Sequence, residues 1–222
     1  MSFALIILIL GPKIWVNRIF VKYSKPKNRY KETGASLARY LLDLNNLQSV
    51  KIEVTKIGDH YDPITKVVRL TEGNFNHGSL TAITIAAHEV GHALQDHYGY
   101  IPLKWRTRLV NMMSKFEKIG AGLLIISPLM IIITKVPSLS ILTLFAGLMT
   151  LGSAVVVHSI TLPVEFDASF KRALPLLKDN NILLPVDHKY SHKLLTAASL
   201  TYVSASLMSL LNIARWVAIL RR

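Results

Sequence analysis

The stretch Ala86–His97 reads AAHEVGHALQDH, and it decides what the rest of the chain must build. Residues four apart on an α-helix share one face, so the imidazoles of His88 and His92 project together. Two neutral imidazoles at that spacing suit zinc, with bonds of about 2.0–2.1 Å. Glu89 is turned off the ligand direction. From there it can take a proton from metal-activated water and pass it to a leaving amine. Ile83, Ile85, Ala86, Ala87, Val90, Ala93 and Leu94 surround the motif, so the helix reads as buried nearly all round. Polar side chains there are costly unless a metal or hydrogen bonds satisfy them. Gly91 costs about 1 kcal/mol of helix propensity relative to alanine, which fits a second element packed closely behind it. Ser79 is placed to cap this helix, which then runs through about His97.

A catalytic zinc needs a third protein ligand and an open position. The pattern that continues the same helix would require glycine at 95 and histidine at 98, but Gln95 and Tyr98 stand there. His97 is displaced around the axis and reads as a helix-end residue. A glutamate from a separate helix remains, and Glu165 in Leu162–Ser169 (LPVEFDAS) is the candidate. Asp167 is its rival, or a residue that orients a ligand histidine. His158 could share the face of Glu165, although Pro163 disturbs the geometry. An acid where an apolar run ends is expensive without a partner, which favours a metal role.

Outward from these motifs, the 222-residue chain is 51% hydrophobic, and its apolar residues gather into long runs between charged stretches. Membrane proteins read this way. The expected fold is a mainly α membrane protein with about four transmembrane helices, a zincin-like active-site helix and a small β-hairpin. It divides into a membrane anchor (1–21), a cytoplasmic zincin-like region (22–118), a transmembrane hairpin (119–163), a cytoplasmic helix with the third ligand (164–193) and a C-terminal transmembrane helix (194–222). Lys13, Asn17 and Arg18 interrupt the anchor, so an interfacial amphipathic helix is the alternative there. Whether residues 194–220 span fully stays open, because Arg215 and the terminal arginines would then lie outside.

Gly34–Leu44 carries apolar residues at helical spacing. Val50 to Ile57 alternates like a strand with one buried face. The turn formers from Gly58 to Pro63 and a second strand, Lys66 to Leu70, suggest a hairpin. The net charge of +13 fits Lys and Arg gathered in cytoplasmic segments, and no nucleic-acid fingerprint accompanies it. The expected localisation is the cell membrane, multi-pass, with the site on the cytoplasmic side. Cysteine is absent, which excludes disulfides and thiolate metal sites.

Together, DHYDP (59–63), AAHEVGHA (86–93), TLPVEFDAS (161–169) and AASLTYVSASL (197–207) resemble the YugP-like family of neutral zinc metallopeptidases of the bacterial membrane. The resemblance covers nearly the whole chain. More distantly, the layout is similar to HtpX-like and CAAX-prenyl-protease-type membrane zinc peptidases. It implies Zn2+ as cofactor, His88, His92 and Glu165 as ligands, Glu89 as base, and a protein or peptide substrate met at the bilayer. Those distant families carry an aspartate four residues after the ligand glutamate. Ser169 stands there in this chain, and Asp167 is the possible substitute. His60, Tyr61 and Tyr202 lie in family-like motifs and could donate hydrogen bonds to an oxyanion, or serve simply as turn and bundle-interior residues. Two other readings are a membrane scaffold with a structural zinc and a basic protein that binds anionic lipid through Lys22 to Lys31. A purely structural site has no use for a base beside its ligand.

Overall fold

The computed structural model describes residues 3–201. In chain order these form α1 (Phe3–Tyr23), α2 (Gly34–Leu44), β1 (Lys51–Thr55), β2 (His60–Asp62), β3 (Val67–Thr71), α3 (Glu72–Asn76), α4 (Leu80–His97), α5 (Ile101–Thr134) and α6 (Pro137–Phe166). A π-helical segment, Asp167–Ala173, carries α6 into α7 (Leu174–Asp179), and residues 188–201 form α8.

The motif helix α4 forms as its sequence predicts. Ser79 Oγ accepts from the Ala82 amide at 3.1 Å, and each residue from Leu80 to Gln95 is buried. A helix apolar on all sides must be enclosed on all sides, and α1, α2, the sheet, the π-helix and α7 surround it. The α2 helix is also as expected. Thr33 and Ser36 close a capping box at its start, and Leu37, Ala38, Leu41 and Leu42 line its inner face. These meet Val68 and Leu70 of β3, Ile83 and Val90 of α4, and Leu194 and Leu195 of α8 in one core. Each leucine, isoleucine or valine among them contributes about 1.5–3 kcal/mol by leaving water.

Gly91 answers to a neighbour, as anticipated. A Cβ built there would lie 2.7 Å from the Ala168 carbonyl oxygen, so the π-helix backbone rests directly on α4. Gly91→Ala is therefore expected to force the two elements apart and destabilise the protein by about 1–3 kcal/mol, the usual cost of overpacking. A lowered denaturant midpoint would register it.

The sheet differs from the expected hairpin. Its order is β1-β3-β2, with β1 parallel to β3 and β2 antiparallel to β3. The two strands anticipated as hairpin partners thus run side by side in the same direction. The segment between them, read as a turn, supplies a strand of its own at the other edge of β3. Asp59 holds this crossover: its carboxylate accepts from the Thr71 amide at 2.6 Å, the Thr71 hydroxyl at 3.0 Å and Asn74 Nδ2 at 2.8 Å. Asp62 then closes the tight return to β3 by accepting from the Ile64 amide at 2.9 Å. Nor does β1 bury one full face, since Val54 is 50% exposed.

The four-span membrane architecture is overturned. Among the described residues no helix is long and apolar enough to cross a membrane, and the chain is mostly helical with a small sheet. Lys13, Asn17 and Arg18 interrupt α1, which also contains Pro12. The helix expected from Ile119 starts already at Ile101, so its first half carries Lys104, Arg106 and Arg108. The next helix ends on Glu165 in its last turn. Of the last expected span, 194–220, only residues 194–201 are described; Tyr202 and the remainder lie outside the described residues.

Candidate metal centre

Three side chains from two helices converge beside the core. His88 and His92 come from successive turns of α4, and Glu165 from the last turn of α6. All three are buried, and one ligand atom from each lies within 4.8 Å of the others. Glu165 Oε2 is 3.2 Å from His88 Nε2 and 3.4 Å from His92 Nε2. Ligand atoms about 2.0–2.1 Å from a tetrahedral zinc stand about 3.4 Å apart, so the spacing fits that ion. The imidazole rings are nearly perpendicular, with centroids 4.7 Å apart.

The other ring nitrogens are engaged in a way that leaves both Nε2 atoms facing the centre. His92 Nδ1 meets Gln95 Oε1 at 2.9 Å. Gln95 is oriented in turn by its amide nitrogen, which donates to the Val164 carbonyl and to Asp167 Oδ2, each at 2.8 Å. Arg172 Nε donates to the same Asp167 oxygen at 2.8 Å, a five-residue step that suits the i→i+5 winding of a π-helix. His88 Nδ1 meets Ser169 Oγ at 3.0 Å, and Ser169 also donates to the Leu195 carbonyl at 3.3 Å and accepts from Ser199 at 2.8 Å. Outer partners of this kind fix tautomer and ring direction. Asp167 thus reaches a histidine through Gln95, while Ser169 holds the other histidine itself.

Outer partners typically carry 10–100-fold of metal affinity. Ser169→Ala and Gln95→Leu are each expected to weaken zinc binding by about that factor. Competition with a chromophoric chelator measures it.

Burial alone would raise the Glu165 carboxyl. The charges and hydrogen bonds of His92 and His88 outweigh it and hold Glu165 well below the ordinary carboxylate range. Its second oxygen, Oε1, is buried and accepts no hydrogen bond, with the Arg106 guanidinium 3.6 Å away. A buried carboxylate oxygen left this way is suited to a cation. Glu89 behaves oppositely. Burial pushes it up to about 7; Glu165 and Asp59 add to the rise, and His88 opposes it.

These groups line a cleft of about 490 Å³. Its rim includes Gly58, Asp59 and His60 beside the sheet, Arg106 from α5, and Thr201 from α8. His60 is thereby brought to the cleft, with Nδ1 bonded to the Gly58 carbonyl at 2.8 Å. The Tyr61 ring also lines it, but its hydroxyl donates to Asp96 Oδ2 at 2.7 Å. His97 is exposed and packs on Tyr98. The side chain of His158, like Tyr202, lies outside the described residues. Sequence reasoning missed Gln95, Ser169 and Arg106 as parts of the site. Gln95, three residues past His92 on a buried helix, carried a signal; Arg106 carried none.

A family model described as "putative neutral zinc metallopeptidase" matches residues 1–221. The chain belongs to this family. It is also 38% identical over 216 residues to "Putative membrane protease YugP" of Bacillus subtilis (strain 168), covering 95% of this chain and 92% of that protein. No solved structure gives a significant match. Zinc is the metal of the family, and the His88, His92 and Glu165 group is able to receive it.

Proposed function

We propose that this chain is a zinc-dependent endopeptidase in which His88, His92 and Glu165 hold the metal and Glu89 is the general base. The observation that carries the reading is the convergence of three buried ligand atoms, with both Nδ1 atoms engaged elsewhere, in the wall of a cleft that also contains Glu89. Zinc bound there supplies a Lewis acid for the scissile carbonyl and brings the pKa of water near 7. Glu89, at the cleft and beside the first ligand, accepts the proton of the attacking water and returns it to the leaving nitrogen. Arg106 also lines the cleft, 3.6 Å from Glu165 Oε1, and its positive charge there favours the negative charge that develops on the carbonyl oxygen.

A polypeptide suits the cleft better than a small molecule. A second hollow of about 200 Å³, lined by Asp62, Ile64 and Thr107, shares His60, Tyr61 and Arg106 with the cleft. Among the described residues β2 pairs with β3 alone, so an extended substrate can add itself as a strand at its other edge.

A membrane-surface setting follows from two supports. The Bacillus relative is called a membrane protease. In addition, the α5–α6 hairpin exposes Ile125, Ile132, Ile133, Ile141, Leu142 and Phe145, and large apolar side chains left in the open suit a lipid or protein surface.

Casein cleavage by the purified full chain, before and after 1,10-phenanthroline and again after added zinc, tests the function. Cleavage lost to the chelator and restored by zinc supports it. Chelator-resistant cleavage, or a zinc-loaded protein inert toward casein and a range of unfolded membrane-protein substrates, would count against it.

A further inference from the structure

Away from the metal centre, the end of α1 and the loop after it form a second, smaller cavity of about 260 Å³, lined by Lys22, Tyr23, Lys25, Arg29, Asp187 and Tyr190 with Leu80 at its floor. That volume lies just under the usual range for small-molecule sites, about 300–1,000 Å³. Three cations face one carboxylate. The carboxylate, Asp187, is already committed: Arg29 Nε and Nη2 each reach it at 2.6 Å, and the Tyr30 hydroxyl donates to it at 2.6 Å. Neither Lys22 nor Lys25 has an acidic partner among the described residues. Lys22 Nζ stands 5.5 Å from the centre of the Tyr23 ring, and Lys189 Nζ 4.8 Å from that of Tyr190.

The cavity is also built rather than accidental. The Tyr23 and Tyr190 rings pack with centroids 5.1 Å apart and join α1 to α8. Lys27 and Tyr30 are tied to the loop before α4 through Gly78, whose amide donates to the Lys27 carbonyl at 2.8 Å and whose carbonyl accepts from the Tyr30 amide at 2.8 Å. A Cβ at Gly78 would lie 2.3 Å from the Tyr30 carbonyl oxygen, so this approach requires glycine. Arg29 is consequently held in place with its planar fork fixed by Asp187, while the two lysines supply mobile point charges. Lysines without an acidic partner, lining one cavity with a fixed guanidinium, are the chemistry that receives a phosphate group.

We infer that the cavity bounded by Lys22, Lys25 and Arg29 is a binding site for a phosphate ester. The phosphate can come from an anionic phospholipid headgroup or from a soluble phosphate ester. Next to the site, α1 exposes Ile14, Trp15 and Val21 between Lys13, Arg18 and Lys22, a composition suited to a lipid interface. The site is independent of the peptidase reading.

The test uses the full chain in a neutral detergent for glycerol 3-phosphate binding by calorimetry, and flotation with phosphatidylcholine vesicles with and without phosphatidylglycerol. The substitutions are Lys22→Gln with Lys25→Gln, both exposed, against a control pair, Lys51→Gln with Lys56→Gln, on the sheet side. The expected result is binding that weakens at least tenfold in the first pair and stays within twofold of wild type in the control pair. Loss of glycerol 3-phosphate binding identifies a soluble ester as sufficient. Loss confined to phosphatidylglycerol vesicles identifies the headgroup as the source. Equal weakening in both pairs, or wild type that binds neither probe, would overturn the inference in favour of general surface charge.

Discussion

Glu89→Gln is expected to retain its zinc and lose about 10²–10⁴-fold in kcat, the range a positioned general base supplies. The glutamine keeps the size of the side chain but cannot accept the proton of the attacking water. His88, His92 and Glu165 are untouched, as are the contacts from Ser169 and Gln95 that orient the two rings. Metal content and thermal midpoint should therefore match wild type while cleavage disappears. The same base predicts an acid limb in the wild-type rate. As the proposed base, Glu89 must be ionised, and burial pushes it up to about 7 before any metal acts on it. A dication held by the neighbouring histidine lowers that value, so activity should fall as pH drops through a midpoint at or below 7. A profile of kcat/KM against pH reads it.

The second large effect is at Glu165. Replacement by alanine removes the only carboxylate in the three-residue group and is expected to lower zinc affinity by more than the 10–100-fold typical of an outer partner, with cleavage lost in parallel. Glu165→Gln keeps an oxygen donor without the charge and should fall between wild type and Glu165→Ala. If Asp167 were the ligand instead, Asp167→Asn would be the more damaging change. Its oxygen is occupied by Gln95 and Arg172, so Asp167→Asn should act more mildly, through the orientation of His92. Zinc titration of the three variants ranks them.

How much of this was legible in the sequence follows from how local each feature is. α4, its Ser79 cap and the close neighbour implied by Gly91 are written in consecutive residues, and the structure reproduces them. The convergence of Glu165 on the two histidines was also legible, because a helix ending on a buried acid demands a partner. The strand directions were not. Alternation reports which residues face inward but not which way a neighbour runs, and the crossover is held by Asp59 reaching Thr71 and Asn74. The spans failed for another reason: apolar runs mark where hydrophobic residues cluster, while the helices that contain them begin in charged sequence, as α5 does at Ile101. The π-helix left no local mark either. It sets Asp167 against Arg172 and brings Ser169 to His88, so a position that looked like a departure from the distant families holds the His88 ring in place.

The most direct measurement is zinc stoichiometry combined with a zinc K-edge absorption spectrum on the purified full chain, wild type beside His92→Ala. One zinc per chain is expected, with two imidazole nitrogens and oxygen donors at about 2.0–2.1 Å, and that signature should be lost in His92→Ala. A folded wild type that holds no zinc, or a spectrum unchanged by removing His92, would contradict it.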